Sequence, residues 1–166
     1  MEEQFTFVPA LLSDKAEIMK IYRDSMDQEG CTWSVDYPNE TIYEDDVKRD
    51  AVFCLKNEEG MIVGAISVDE DDAVDRLDNW TWKSRNKRSG EIARLAVKME
   101  YQNRGLAKRL FREVMDVLRI RGYDGVHLLV SPGNTAALRA YQKLNFRYAG
   151  QADALGHRWY CYEGDL

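Results

Sequence analysis

Residues 105–121 place Leu106, Leu110, Val114 and Leu118 at intervals of four, with Phe111 and Met115 widening the stripe and Gly122 following at once. That spacing predicts one long amphipathic helix, ended by a residue that enters the left-handed conformation freely. Upstream, Glu91–Met99 reads as a strand through Ile92, Leu95, Ala96 and Val97, and downstream Gly125–Val130 reads as another. A long helix between two apolar strands needs a sheet to pack on, which confines the chain to the mixed α/β (α+β) class.

The remaining segments fill in that frame. Residues 4–9 alternate around Phe5 and Phe7 as a first strand, and a helix capped by Ser13 or Asp14 runs through Ile18, Ile21 and Tyr22 to about Met26. Cys31–Asn39 reads as a loop and Glu40–Arg49 as a short acidic helix with Ile42, Tyr43 and Val47 inward. Ala51–Lys56 and Met61–Val68 flank the turn Asn57-Glu58-Glu59-Gly60 as a hairpin. Asn134–Leu144 reads as a helix, and 145–149 and 158–163 as two closing strands. The order is β-α-α-β-β-β-α-β-α-β-β, read as a single domain over residues 1–166. Residues 69–89, which contain Trp80 and Trp82, are too long and charged for an ordinary connection and are either disordered or functional, as a specificity lid or a solvated excursion.

Composition narrows the functions. With 45% hydrophobic residues and three prolines the chain is neither disordered nor low in complexity. No apolar run approaches the ~20 residues that span a bilayer, and the start Met1-Glu2-Glu3-Gln4 is no signal peptide, so a cytoplasmic protein without membrane contact is expected. Cys31, Cys54 and Cys161 are an odd, scattered set without CxxC, which suits reduced thiols and argues against a metal site. The net charge of −6 divides unequally: residues 1–80 hold 7 Lys+Arg against 21 Asp+Glu, and residues 81–166 hold 16 against 8. Overall acidity opposes nonspecific nucleic-acid binding, while the division suits an anionic ligand on the basic side and a cationic one on the acidic side; the plain alternative is two solvated faces.

The chemistry concentrates at the start of the long helix, in Glu100-Tyr101-Gln102-Asn103-Arg104-Gly105-Leu106-Ala107-Lys108. Small residues at 105 and 107 let a ligand approach the backbone, and the first helical turn offers unpaired N–H groups at the positive dipole end, which is the physics of a pyrophosphate site. Arg104, Lys108 and Arg109 add charge. Neither GxxxxGK[ST] nor GxGxxG is present, and a tight turn into an amphipathic helix would explain the same residues.

The spacing Gln102-x-x-Gly105-x-Ala107 after the strand Arg94-Leu95-Ala96-Val97 resembles the acetyl-coenzyme A signature of the GNAT superfamily of N-acetyltransferases. A second stretch, SPGNTAALRAYQKLNF at 131–146, resembles that family's later strand-loop-helix, with Asn134, Tyr141 and Leu144-Asn145-Phe146 in the expected places. The resemblance implies a mostly antiparallel, splayed sheet flanked by helices, in which the strand of Leu95 and Val97 parts from that of Leu128 and Val130 to admit pantetheine. It implies acetyl-coenzyme A as co-substrate, without a metal. Backbone groups of Leu95 and Val97 would bond the pantetheine amides, and the N–H groups of Gln102, Asn103, Arg104, Gly105, Leu106, Ala107 and Lys108 would cradle the pyrophosphate. Leu95 and Val97 equally suit a purely structural place in the core.

Acetyl transfer needs a neutral amine, a polarised thioester carbonyl and a proton for the departing thiolate. The resemblance assigns the last role to Tyr141, two turns after Asn134 on one helix face, where a phenol near pKa ~10 stays protonated at neutral pH. Asn134 suits a helix N-cap, and the corresponding family residue also contacts or orders the cofactor site. The Glu that some members carry on the strand before this Asn is replaced by Leu129. Others carry a Glu six residues before the position of Val97, and Glu91 matches; by parity it shares the side of Leu95 and Val97 if no bulge intervenes. A surface Glu at a strand start is the alternative.

Trp33, Tyr37, Trp80 and Trp82, with the acidic first half, suit a cleft for a cationic amine borne by a small molecule or a peptide. A monomer or homodimer is expected. The competing readings are a noncatalytic acyl-coenzyme A binding or sensing module, and cysteine-based acyl transfer through Cys54, which has no evident histidine partner.

Overall fold

The computed structural model describes residues 1–70 and 88–166. The reading of 69–89, with Trp80 and Trp82, falls almost wholly outside the described residues. The strands are β1 (Thr6–Pro9), β2 (Val52–Lys56), β3 (Ile62–Asp69), β4 (Ser89–Val97), β5 (Gly125–Val130), β6 (Arg147–Ala154) and β7 (His157–Asp165). The helices are α1 (Lys15–Asp24), α2 (Glu40–Lys48), α3 (Leu106–Ile120) and α4 (Thr135–Lys143). Strand order is β1-β2-β3-β4-β5-β7-β6, mostly antiparallel, with β4 and β5 parallel. The expected mixed α/β class and element order are both present.

Two compact units divide the chain. The first comprises Met1–Asp27, Trp33–Val68 and Ala93–Val114. Its core gathers Ile18, Ile21 and Tyr22 of α1, Tyr43 of α2, Val52 and Cys54 of β2, Ile62 and Ala65 of β3, and Ala96 of β4. The inward stripe of α1 is the one expected, but its cap differs. Asp14 closes a short 3-10 turn, Leu12–Asp14, by accepting from the Leu11 N–H at 2.9 Å, and makes no side-chain cap to α1. Asn39 does cap α2, accepting from the Ile42 N–H at 2.9 Å. Gly64 of β3 has a packing reason: a Cβ there would meet the Ala96 carbonyl and a Leu110 methyl, each at 3.1 Å, so its absence lets β4 and α3 close on β3.

The second unit comprises Gln28–Thr32, Asp69–Ile92 and Met115–Leu166. The parallel ladder pairs Ser89 with Gly125, Gly90 with Val126 and Glu91 with His127. It stops there, although β4 continues to Val97 and β5 to Val130. The closing hairpin is longer than the sequence suggests, because Leu155 (φ 53°) and Gly156 (φ 77°) form a tight turn with both residues left-handed. Hairpins favour that turn, but Leu-Gly lacks the Asn-Gly or Asp-Gly signature that advertises it.

Candidate functional site

In the first unit, β4 delivers the chain into the 102–108 segment and α3 leads it away. Gln102 braces the junction: its Nε2 donates to the Val97 carbonyl at 3.1 Å. That carbonyl is therefore already engaged, and because the Gln102 N–H is itself bonded to the Met99 carbonyl at 3.2 Å, Gln102 meets the loop through its side chain, as a strut, and not through the N–H that was expected to join the cradle. Asn103 (φ 60°) and Gly105 (φ 77°) are both left-handed and bracket the exposed Arg104. A Cβ on Gly105 would meet nothing within 4 Å, so glycine is required there by backbone conformation and leaves open space beside the loop. The Arg109 N–H bonds the Gly105 carbonyl at 3.1 Å, leaving the N–H groups of Leu106, Ala107 and Lys108 without intrahelical acceptors at the positive end of α3. The Arg104 guanidinium is drawn to Glu3 (2.9 Å) and lies over the rings of Phe5 and Tyr101, so its charge is partly compensated. Arg109 pairs with Glu113 at 3.5 Å.

Arg94 sits two residues before the start of the Ala96–Val97 strand end and has φ 46°, a left-handed residue inside β4. The count that put Glu91 on the side of Leu95 and Val97 assumed regular alternation; burial does alternate from Ser89 to Ala96, with Glu91, Ala93 and Leu95 on the half-buried side despite the left-handed Arg94, while Val97, buried like Ala96, departs from it. Arg94 Nε and Nη2 fork onto Asp46 at 2.9 and 2.8 Å, and Nη1 donates to the Tyr37 hydroxyl at 3.1 Å. Asp46 also accepts from Arg49 at 2.6 Å. Arg94 and Asp46 are buried, and neither was singled out in the sequence, although an arginine between Ile92 and Val97 in an apolar strand was the available signal. Trp33, expected in a cleft, packs edge-on against Tyr22 at 5.4 Å beside the core.

In the second unit, Asn134 caps α4, its Oδ1 accepting from the Ala137 N–H at 3.2 Å. Tyr141 lies two turns on, buried, with Phe146 edge-on at 6.0 Å and Tyr162 tilted at 6.3 Å. Burial pushes its phenol well above the usual range, so it holds its proton. Glu91 is half-buried in register with His127, and His127 is in turn in register with Glu163. Burial lowers the His127 imidazole to about 4, so it is neutral near pH 7. Glu163 is buried and takes Arg147 at 3.5 Å. Cys54, in the first unit, is fully buried and its thiol is pushed up to about 12, which removes it as a nucleophile. Among the described residues no group of three or more His, Cys, Asp or Glu is disposed to hold a metal ion. Among them, too, no helix is long and apolar enough to cross a membrane.

A mixed sheet in which a glycine-turned, N–H-rich helix start follows β4 defines an α/β protein of the expected class. The chain belongs to the Acetyltransferase (GNAT) family, which it matches over residues 16–146. It is 36% identical over 78 residues to the mycothiol acetyltransferase of Clavibacter sepedonicus, a match covering 47% of this chain and 26% of that protein. The matched stretch thus spans about a quarter of that relative's length. In fold it is similar to a GNAT-family acetyltransferase from Streptococcus agalactiae, with TM-score 0.80, 18% identity and coverage of 100% and 98% of the two chains. It is also similar to a phosphinothricin acetyltransferase from Sinorhizobium meliloti solved in complex with acetyl-coenzyme A, with TM-score 0.74, 15% identity and coverage of 98% and 88%.

Proposed function

We propose that this chain is an acetyl-coenzyme A-dependent N-acetyltransferase that moves the acetyl group to a primary amine by direct attack in a ternary complex. The observation that carries the reading is the 102–108 segment. Its left-handed Asn103 and Gly105, with the N–H groups of Leu106, Ala107 and Lys108 that lack intrahelical acceptors, suit a pyrophosphate, and the open space beside Gly105 suits its approach. A family neighbour of the same fold is solved with acetyl-coenzyme A bound, which supports the choice of ligand. Pantetheine would run along the backbone of Leu95 and Val97 as an added strand.

In this scheme the neutral amine attacks the thioester carbonyl carbon, a C–N bond forms and the C–S bond breaks. Tyr141 gives its phenolic proton to the departing thiolate, and Glu91 takes the surplus ammonium proton through water. Asn134 holds the helix that carries Tyr141. The acidic first half, 7 Lys+Arg against 21 Asp+Glu over residues 1–80, favours a cationic acceptor, either a small molecule or a peptide amine. We place the activity in the cytoplasm, in a monomer or homodimer.

The test is calorimetric titration with acetyl-coenzyme A followed by thiol-release assays against a panel of amines and peptides. Saturable 1:1 binding and turnover with at least one amine is the expected result. Binding without turnover across the panel would favour the noncatalytic acyl-coenzyme A module, and no binding at millimolar ligand would overturn the cofactor assignment itself.

A further inference from the structure

We propose that Asp46 and Arg94 form a positioning clamp that sets the backbone of β4 where coenzyme A binds, with Arg94 as the positioning residue and Asp46 its anchor on α2. This rests on the acetyl-coenzyme A reading of Leu95 and Val97.

Arg94 carries a Cβ, yet its backbone is left-handed (φ 46°) in the middle of β4, a conformation that strands do not adopt unless the surroundings enforce it. What enforces it is its own side chain. The guanidinium forks onto both oxygens of Asp46, at 2.9 and 2.8 Å, in a geometry only arginine provides. The side chains of Arg94 and Asp46 are 3% and 1% exposed, so solvent neither screens the pair nor substitutes for it. Asp46 is itself fixed by Arg49, whose other terminal nitrogen donates to the Val68 carbonyl at 3.0 Å. The clamp thus ties the left-handed residue of β4 to α2 and to the end of β3.

Leu95 follows Arg94 directly, so the direction of its N–H and carbonyl depends on the turn made at 94. The far end of the same stretch is fixed separately, by the Gln102 amide on the Val97 carbonyl. Residues 95–97 are therefore held at one end by Arg94 and at the other by Gln102, with Leu110 and β3 packed behind Ala96 and Val97. A ligand that reads this backbone by hydrogen bonds depends on both anchors. The third arm of the guanidinium, on the Tyr37 hydroxyl, reaches the loop before α2 and does not bear on residues 95–97.

The experiment compares wild type with Asp46→Asn, Arg94→Lys and Tyr37→Phe, measuring acetyl-coenzyme A affinity by calorimetry and melting temperature on each protein. Asp46→Asn keeps the shape and loses the charge; Arg94→Lys keeps the charge and loses the fork. Both are expected to weaken acetyl-coenzyme A binding by the folded protein about 10-fold or more, because small displacements of positioning groups carry effects of that order. In turnover assays the loss should appear in KM for acetyl-coenzyme A, with kcat little changed. Tyr37→Phe should bind like wild type. A purely structural pair would lower the melting temperature and leave the affinity of folded protein intact, and that result overturns the clamp. Wild-type protein also reports directly, by a slowing of Arg94 Nε–H exchange when acetyl-coenzyme A saturates it; unchanged exchange overturns the clamp even if Asp46→Asn and Arg94→Lys both fail to fold. Absence of binding by wild type is the separate outcome that removes the cofactor reading, and the clamp's role with it.

Discussion

Gly30 lies against the backbone of Asn134, so closely that a Cβ on Gly30 would stand 2.5 Å from the Asn134 nitrogen and 2.6 Å from its α-carbon. The Gly30 backbone is also left-handed, at φ 77°. Both residues belong to the second unit, and Asn134 is the cap of the helix that carries Tyr141.

Gly30→Ala therefore meets two penalties, a left-handed alanine and an overlap with backbone that cannot swing aside. Together they should cost about 2–4 kcal/mol of stability. Urea unfolding of the two proteins checks this; an alanine variant as stable as wild type would mean that the loop relaxes away from α4 freely.

At Gly105 the penalties separate. Nothing lies within 4 Å of a Cβ there, so Gly105→Val should lose only the conformational cost, about 1–2 kcal/mol, while acetyl-coenzyme A affinity falls more than 10-fold because the branched side chain occupies the space beside the loop. Equal losses in stability and binding, measured by thermal unfolding and calorimetry, would place the ligand elsewhere.

These glycines show what the sequence discloses. The stripe Leu106, Leu110, Val114 and Leu118 is buried as its period requires, and β5 has the bounds 125–130 that its apolar run marks. Gly105 could be read because it stands at a fixed distance from Gln102 in a motif with a physical rationale. Gly30 could not, because its reason is a close approach to Asn134, more than a hundred residues away in the chain. Asp46 and Arg94 share that character: each looks like an ordinary charged residue until folding brings the carboxylate under the guanidinium. Glu91 was legible to the extent that strand alternation holds: it shares the half-buried side of β4 with Ala93 and Leu95, and the pattern changes only at Val97, beside the turn into the 102–108 segment.

His127 gives a pH signature. It stands in register with Glu91 on one side and Glu163 on the other, with Arg147 beside Glu163, and burial lowers its imidazole from an ordinary 6.5 to about 4. Above pH 6.5 both folded and unfolded chains carry it neutral and no stability is lost. Between 6.5 and 4 the unfolded chain takes up a proton that the folded chain refuses, so stability falls with pH by roughly 3 kcal/mol at most. Chemical denaturation at a series of pH values should show this decline, and His127→Gln should flatten it over that window; the same slope in the variant would assign the proton to another group.

Tyr141 allows chemistry to be separated from binding. Tyr141→Phe removes one hydroxyl and keeps the ring that meets Phe146 and Tyr162, so fold and cofactor affinity should change little. Burial raises the phenol, which makes it a weaker acid than in water. A general acid contributes ~100-fold or more, and a loss of that order is expected in single-turnover acetyl transfer, where slow product release cannot mask it. Because the phenol stays protonated throughout the neutral range, the loss should be the same from pH 6 to pH 8. A Phe variant that binds acetyl-coenzyme A and transfers at the wild-type rate would leave Tyr141 as a packing residue and make water the proton donor.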